Sequence, residues 1–136
     1  MSASPIIALR MAMLARLVAD AGLVAALGGS KIFDEAPRNA EPPYVLFAEA
    51  QMRDWSAQLM RGAEQFLTLS VISTQRGVRE ALDIAQMIVL LLDEAPLALV
   101  GHTLIDLRFL AIETKREQNG RFARVNLRFR ATTEYL

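Results

Sequence analysis

The residues that could carry out chemistry in this 136-residue chain are few. His102 is the single histidine and there is no cysteine, so a zinc site would need carboxylates or carbonyls for its other ligands. A solvated loop histidine is the favoured interpretation. The acidic pairs Asp34-Glu35 and Asp93-Glu94 are chain neighbours that do not point to one spot. A hydrolase with two catalytic carboxylates would therefore require assembly from distant parts of the chain.

A glycine-rich stretch is equally weak as a functional motif. Gly28-Gly29-Ser30-Lys31 follows a predicted helix rather than a strand and lacks the spacing of a phosphate-binding loop, so we interpret it as a helix stop. A small enzyme or ligand-binding domain would need a pocket that gathers polar groups from several elements. Its first candidates are Glu49, Arg53, His102 and Asp106. No metal or cofactor is expected.

Basic residues near the carboxyl end form the strongest charged feature: Lys115, Arg116, Arg121, Arg124, Arg128 and Arg130. The cluster is either a solvated strand face, a set of salt-bridge partners for an acidic neighbour, or a contact for a DNA backbone. Phe122 is the one aromatic residue that interleaves with these arginines, so stacking on bases is poorly supported.

Composition indicates a single domain, residues 1–136, that is large enough for a proper core. Hydrophobic residues make up 53% and charged residues 22% of the chain, and 15 basic residues balance 15 acidic ones. Zero net charge gives no overall attraction to nucleic acid or to an anionic membrane. Arg10, Arg16 and Asp20 interrupt the apolar amino terminus, which predicts neither a signal peptide nor a membrane span. We expect synthesis in the cytosol.

Two strands near the carboxyl terminus must position the arginines. Residues 121–131 alternate with period two, which predicts a half-buried antiparallel strand with an apolar inner face. The preceding strand, residues 103–115, is apolar on both faces: Ile105, Leu107, Phe109 and Ala111 on one, and Leu104, Leu110 and Ile112 on the other. One small domain usually covers only one side, so the second face is a candidate subunit contact.

The register of this hairpin depends on its loop. A two-residue turn at Asn119-Gly120 would set Phe109 opposite Arg130. A three-residue loop, 118–120, would instead pair Phe109 with Phe129. Because the second register creates one shared apolar face, we favour the longer loop.

The remaining pattern predicts helices and further strands. Ser4-Pro5 indicates a helix start, and this helix is expected to bury a stripe of apolar residues at helical spacing: Ile7, Met11, Leu14, Val18 and Ala21. The later elements are a short helix at 23–27, strands at 31–33, 44–55 and 66–73, and a helix at 78–94. The predicted fold is α+β, a mainly antiparallel sheet with two long helices packed on one face and a long β-hairpin at the end.

Three further expectations concern individual positions. In the strand at 44–55 the apolar side is expected to hold Leu46, Ala48, Ala50 and Met52. Leu90 lies near the outward side of the second long helix and is a candidate contact. Trp55 stands beside the loop at 56–62, where it is either a lid on the core or an interface anchor.

Several short segments, taken in order, resemble the tail-terminator (tail-completion) family of long-tailed phages and phage-derived gene transfer agents. The segments extend over nearly the whole chain: the Ser4-Pro5 helix, Gly28-Gly29 before Ile32-Phe33, Pro42-Pro43-Tyr44-Val45, Arg53-Asp54-Trp55-Ser56, Arg61-Gly62-Ala63-Glu64, Arg79-Glu80-Ala81, Ala95-Pro96-Leu97, Gly101-His102 before Leu107-Arg108-Phe109, and Leu127-Arg128-Phe129-Arg130-Ala131.

The resemblance implies a structural virion protein and not an enzyme. In that family a subunit of this size forms a ring, expected to be hexameric, on the finished tail tube. The ring ends tail polymerisation and offers the surface for head-tail joining. The implied partners are other copies of the chain, the tail tube protein and a head-side connector or stopper, with double-stranded DNA passing through the lumen unread and no membrane involved. Assembly would take place in the host bacterial cytoplasm.

For such a ring we expect contacts through the apolar residues Leu104, Leu110 and Ile112 and the basic residues Arg124, Arg128 and Arg130, with Trp55 and Leu90 as further candidates. Three alternatives stay open at this point. They are another neck component, such as a stopper or adaptor, a small α+β ligand-binding or enzymatic domain, and a DNA-binding protein that uses its arginine face.

Overall fold

A computed structural model describes residues 4–74, 78–116 and 121–136. Its elements in chain order are the helices and strands α1 (Pro5–Val18), α2 (Ala21–Leu27), β1 (Ile32–Phe33), β2 (Tyr44–Asp54), β3 (Gly62–Thr74), α3 (Val78–Leu92), β4 (His102–Arg116) and β5 (Phe122–Tyr135). The strands form one sheet in the order β1-β2-β3-β5-β4. Buried side chains of all three helices join those of the strands in one core.

The α+β class is confirmed; the described residues form a mixed five-stranded sheet and three helices, where the sequence predicted a mainly antiparallel sheet with two long helices and a short one. β1 runs parallel to β2, with Ile32 opposite Val45, whereas every other strand pair is antiparallel. The ten residues between β1 and β2, 34–43, are at the lower limit of the length that a crossover between parallel strands needs. The sequence pattern predicts both strands but does not indicate whether they run parallel or antiparallel to each other.

Local capping determines where the first two helices begin and end. Ile6 N donates to Ser4 Oγ at 3.2 Å and proline occupies the first turn of α1. Leu23 N donates to Asp20 Oδ2 at 2.9 Å at the start of α2. Gly28, with a φ of 76°, ends α2 in the left-handed conformation that glycine adopts at low cost. The interpretation of this glycine pair as a helix stop is therefore confirmed.

The predicted buried stripe of α1 is wrong. The helix buries Leu9, Met13 and Leu17, whereas Ile7 and Met11 of the predicted stripe are 55% and 62% exposed. Because α1 is apolar on both sides, the prediction took the side that carries its arginines as the one facing water. They mislead because both bind neighbouring elements: Arg10 Nη2 donates to Ala48 O at 3.3 Å, and Arg16 Nε donates to Leu91 O at 3.2 Å.

A bulge in β2 overturns its predicted apolar side. The register with β3 shifts between Phe47 and Ala50, and before the shift Val45 and Phe47 are the buried residues. Leu46 instead lies opposite Ser70, on the face away from the helices. Only beyond the bulge does the predicted side, which includes Ala50, point toward the core. An inserted residue exchanges the two faces of a strand, which an alternating pattern alone does not reveal.

Two bulges also correct the predicted faces of β4. The register with β5 shifts between Leu104 and Asp106 and again between Phe109 and Ala111. As a result the residues directed to the helix side are Leu104, Leu107, Phe109 and Ile112, opposite Thr133, Ala131, Phe129 and Leu127. The expected second apolar face of Leu104, Leu110 and Ile112 therefore does not exist as one surface. Ile105 and Leu110 are the residues that the bulges insert.

The predicted pairing of Phe109 with Phe129 is present in the hairpin, but a bulge in β4 produces it rather than the length of the loop. Phe109 lies opposite Phe129, with ring centroids 5.9 Å apart. Nearer the loop, however, Arg116 lies opposite Ala123, the alignment that a two-residue turn would produce. The bulge between the two regions changes the alignment by one residue. The loop at 118–120 itself lies outside the described residues.

The two stripes of α1 can be compared with one pair of matched variants. Met13→Ala should lower the free energy of unfolding by about 2–5 kcal/mol, because it removes a fully buried side chain from the core. Met11→Ala, on the exposed stripe, should change it by less than about 0.5 kcal/mol. Urea denaturation followed by circular dichroism measures both. A larger loss for Met11→Ala than for Met13→Ala would show that α1 packs the other way round.

A candidate interaction surface on the open face of the sheet

The face of the sheet away from the helices carries most of the charged side chains of the strands. On β3 and β5 it presents every second residue, with Thr68 opposite Arg128 and Ser70 opposite Asn126. Odd-numbered residues of β5 point the other way into the core, from Ala123 to Ala131. We call this polar side the open face. Its members include Arg53, Glu64, Phe66, Thr68, Ser70, Glu113, Lys115, Arg124, Asn126, Arg128 and Arg130.

Glu64 links two arginines at one end of the open face. Its side chain is 7% exposed, Arg130 Nε donates to Oε2 at 2.6 Å, and Arg53 Nε donates to Oε1. The hydrogen bond from Arg53, followed by that from Arg130, lowers the pKa of Glu64 below its ordinary value, although burial acts in the opposite direction. The carboxylate therefore stays charged at neutral pH and holds both guanidinium groups in place.

Phe66 lies between two guanidinium groups. The guanidinium carbons of Arg53 and Arg128 lie 5.7 and 5.5 Å from the centre of its ring. Arg128 is exposed, so this contact orients its charge while leaving the charge accessible from outside.

The centre of the open face is shallow and has mixed charge. Ser70 Oγ donates to Asn126 Oδ1 at 2.6 Å, and Arg124 Nη1 donates to Ser70 Oγ at 3.4 Å. Lys115 forms an exposed ion pair with Glu113 at 3.2 Å. The surrounding concavity has a volume of about 340 Å³. Such a surface can form charge-assisted hydrogen bonds with a partner.

The predicted interface residues are only partly brought together. Arg124, Arg128 and Arg130 share the open face, although the charge of Arg130 is already compensated by Glu64. The predicted apolar residues lie elsewhere: Leu110 and Ile112 are 45% and 44% exposed on β4, Leu90 is 73% exposed on the outer side of α3, and Leu104 packs partly against the core.

Trp55 belongs to a separate apolar region at the turn between β2 and β3. A β-carbon on Gly62 would come within 3.1 Å of Trp55 Cε3 and 2.9 Å of Thr133 O, so the indole packs closely on the glycine. Met52 and Trp55 are 42% and 41% exposed, and Leu59 is fully exposed at the tip of the turn. We call Trp55 and Leu59 the turn patch; Met52, which lies opposite Gln65, is on the helix side of the sheet. The sequence pattern did not single out Leu59, because one apolar residue in a loop is common on protein surfaces.

Glu64 and Phe66 are further residues that the sequence pattern did not single out. One signal was present: Arg53 and Glu64 have opposite charges and flank the same turn, so a hairpin would pair them. The long-range partner Arg130 carries no such signal.

The four candidate residues of an enzyme pocket do not converge. Glu49 and Arg53 lie along the open face, whereas Asp106 lines a groove beside α3 together with Glu94. His102 is 2% exposed and its ring centre lies 4.9 Å from that of Tyr135. The prediction of a solvated loop histidine is therefore wrong, because β4 begins at His102 and pairs there with the end of β5.

Within the described ranges, no three His, Asp or Glu side chains form a group that could hold a metal ion. Nor is any helix in that part of the chain long and apolar enough to cross a membrane.

Comparison with known proteins relates this chain to proteins of phage tails. A family model described as "Tail completion protein gp17" matches residues 11–134. A chain of the solved structure "Virion of native gene transfer agent (GTA) particle" is similar with a TM-score of 0.88 and 30% sequence identity, over 98% of this chain and 99% of that chain. The comparison with curated proteins found no match.

The ion pairs of Glu64 should make stability depend on pH. Its pKa is lowered on folding, so its stabilising contribution is complete above the ordinary value of 4.5 and is lost as the pH falls through the lower pKa of the folded state. Glu64→Gln should therefore destabilise the protein at pH 7, and the difference from the unaltered protein should shrink on acidification below about pH 4.5.

Urea denaturation at pH 7 and at several acidic pH values measures this difference. Glu113→Gln is the matched control, because its exposed pair with Lys115 should contribute less than about 1 kcal/mol at neutral pH. A loss for Glu64→Gln that is the same at every pH would contradict the assignment.

Proposed function

The chain belongs to the tail completion protein gp17 family, and we propose that it caps the tail tube of a phage or phage-derived particle. In this proposal six copies form a ring on the finished tube. The ring ends further addition of tube protein, and its free surface receives the head-side connector. The protein then acts in the host cytoplasm during assembly and afterwards at the head-tail junction of the particle.

One observation carries this proposal, the similarity between the whole chain and a whole chain of a gene transfer agent virion. A match that extends over 98% of this chain and 99% of that chain is more than a shared local motif. Together with the family membership it supports a structural role in a tail. The ring and the capping step are the parts that we add.

The chemistry of the open face agrees with a role that depends on contacts. Its arginines are held by Glu64, Ser70 and the ring of Phe66, so their charges are oriented before a partner arrives. Pre-oriented charges lose little side-chain entropy on binding. Glu49 and Glu113 line the same concavity as Arg128, and these carboxylates would weaken a hold on DNA phosphates. Duplex DNA could accordingly pass through such a ring without being retained.

The turn patch supports an axial contact. Trp55 and Leu59 lie at one end of the β2–β3 hairpin, and Trp55 supplies an aromatic ring, a kind of side chain that is enriched in protein interfaces. We assign this patch to the contact with the tube or with the head-side connector.

Particles produced by a host strain that lacks this protein test the proposal. Electron microscopy should show overlong or unjoined tails beside DNA-filled heads, and a plasmid copy of the unaltered gene should restore joined particles. Tails of normal length that fail to join would instead assign the protein to a stopper or adaptor position nearer the head. Intact, infectious or transducing particles would contradict a role in the virion.

Reversal of one exposed charge tests the open face. Arg128→Glu should leave the fold intact, because the contact with Phe66 contributes only about 0.5–1 kcal/mol. The yield of joined particles should fall about tenfold or more, since a like charge placed against a charged partner costs several kcal/mol. Arg79→Glu, an exposed reversal on α3, is the matched control and should leave the yield unchanged. Equal yields from the two variants would remove the open face from the assembly contacts.

A further inference from the structure

Each side edge of the sheet has a stretch of strand that lacks a partner strand within the described residues. On one side, β1 pairs with β2 only at Val45 and Leu46. Arg10 Nη2 then donates to Ala48 O at 3.3 Å. Residues 49–54 of β2 come after these contacts, and we call them the β2 edge. Unpaired main-chain groups of this kind can bind a further strand.

The opposite side of the sheet is formed by β4, and the segment that follows α3 covers its middle part. Glu94 N donates to Leu107 O at 2.7 Å, and Phe109 N donates to Asp93 Oδ1 at 2.8 Å. Residues 111–116 of β4 lie beyond this cover, and we call them the β4 edge. The two edges belong to opposite sides of one sheet, so one copy of the chain could offer each edge to a different neighbour.

The hydrogen bonds beside β2 show which of its main-chain groups are available. Trp55 N donates to Gly62 O at 2.9 Å, so Trp55 binds β3. Because inward and outward groups alternate along an antiparallel strand, residues 51 and 53 also bind β3. The N–H and C=O groups of Ala50 and Met52 therefore point outward from the β2 edge.

The same reasoning identifies the available groups of β4. Tyr135 N donates to Arg61 O at 2.9 Å, so the odd-numbered residues of β5 bind β3 and the even-numbered ones bind β4. Those even-numbered residues lie opposite residues 111, 113 and 115, whose main-chain groups therefore point into the sheet. The N–H and C=O groups of Ile112 and Thr114 point outward from the β4 edge.

The directions of the two edges suit a contact between copies. Each neighbouring pair from β2 through β3 and β5 to β4 is antiparallel, so β2 and β4 run in opposite directions. Two copies that stand side by side in the same orientation therefore bring the β2 edge of one against the β4 edge of the other as an antiparallel pair. Only shifts by two residues keep outward groups facing each other.

One register also matches the side chains on the helix side of the sheet. It sets Met52 opposite Ile112 and Ala50 opposite Thr114. Met52 and Ile112 both point to the helix side and are 42% and 44% exposed in the single chain. The pairing would bring these two apolar side chains together and remove both from water.

The same register brings opposite charges together on the open face. Glu49 lies opposite Lys115, and Glu113 lies diagonally between Arg53 and Glu49. The contact therefore contains two carboxylates and two basic groups. Within the chain Lys115 binds Glu113 and Arg53 binds Glu64, but the two basic side chains are 57% and 73% exposed and can accept a second carboxylate.

The adjacent registers fit less well. A shift by two residues in one direction sets Glu113 opposite Glu49, and like charges directly opposite each other are destabilising. A shift in the other direction sets Ile112 opposite Asp54, which places a carboxylate against an apolar side chain. The remaining charged groups of this side, Asp93, Glu94, Asp106 and Arg108, lie beside the covered part of β4, beyond the matched segment.

We propose that residues 49–53 of one copy pair with residues 111–115 of the next copy, with Met52 opposite Ile112, so that the two sheets join through their main chains. Two different edges of one chain generate a head-to-tail contact, which can repeat around an axis and close into a ring. This inference rests on the ring proposed above and names the contact that forms it.

The offset between neighbouring copies suits a closed ring. Val45 and Thr114 lie at one level of the sheet, because they are opposite Val71 and Val125, which pair with each other. In the neighbour, Ala50 takes that level. Copies are therefore offset by about 16 Å along the strands and by four strand spacings, about 19 Å, across them. The strands would tilt by about 40° from the ring axis, within the range of closed β-barrels.

Engineered disulfides test the pairing, because the chain contains no cysteine of its own. Gln51 and Glu113 would form a non-hydrogen-bonded pair with their Cα atoms about 4.5 Å apart, a distance that a disulfide can bridge. Both side chains are exposed, so Gln51→Cys/Glu113→Cys should leave the fold intact. Within one copy the two positions are about 19 Å apart, too far for a disulfide.

The double variant is produced in the host strain that lacks the unaltered gene, and purified particles are oxidised with copper phenanthroline. Immunoblots after non-reducing electrophoresis should show most of the protein in a ladder of multimers that a reductant removes, while each single variant stays monomeric. Co-production of the two single variants should give dimers and no larger species, because each copy then carries one thiol.

Two further double variants test the register. Gln51→Cys/Ala111→Cys and Gln51→Cys/Lys115→Cys place the thiols on diagonal positions, where the Cα atoms are about 7–8 Å apart and beyond the usual span of a disulfide. We expect at least about fivefold less multimer from either variant than from Gln51→Cys/Glu113→Cys. More multimer from one of them would overturn the proposed register.

Other outcomes would overturn the pairing itself. Dimers from one single variant would show that two identical edges meet. A double variant that stays monomeric although the particles contain it would show that the two edges do not meet. If particles exclude the double variant, the co-produced single variants give the decision, because monomers in that sample would reject the pairing.

An amine-reactive crosslinker applied to unaltered particles separates this inference from the proposed ring. Multimers in that sample, without disulfide-linked multimers of the variants, would retain the ring and reject the two edges. The absence of multimers from both samples would contradict the ring itself. Tail lengths in the deletion strain test the capping role independently of either result.

Discussion

The unbroken pairing of β3 with β5 is the constraint on which the rest of the structure depends. The two strands stay in register from Gly62 opposite Glu134 to Thr74 opposite Phe122. Because side chains alternate along a strand, this register sends every second residue of both strands to the helices and the others to the open face. A single inserted residue would have exchanged the two sets and placed arginines in the core.

The irregularities lie in the flanking strands, where they change what the surfaces present without disturbing the centre. The bulge in β2 turns Arg53 toward the open face, where it reaches Glu64. Because of the bulge at Leu110, the part of β4 nearest the loop is aligned with β5 one residue differently from the part that pairs Phe109 with Phe129. A regular centre with adjusted edges suits a subunit that must hold its own core while presenting several surfaces to neighbours.

The candidate surfaces differ in how far the sequence could predict them. The arginines of β5 share a face because the strand alternates without interruption, and this was predictable from spacing alone. Their chemistry was not: the ion pair of Arg130 with Glu64 joins residues 66 positions apart, and the ring contact of Arg128 with Phe66 joins two different strands. The burial of His102 likewise depends on Tyr135, the last residue of β5, which lies opposite it.

The sequence by itself determined which segments become helices and strands, that Ser4-Pro5 begins α1 and Gly28 ends α2, and which face of β5 is buried. In β5 one face is apolar, the other is polar, and the alternation is uninterrupted, while caps and left-handed glycines act on the residues beside them. Only the tertiary structure decided which side of α1 faces the core, where β2 and β4 shift register, and that β1 runs parallel to β2. A helix that is apolar all round has no preferred side until its neighbours are in place, and an inserted residue reverses a pattern that local periodicity cannot correct.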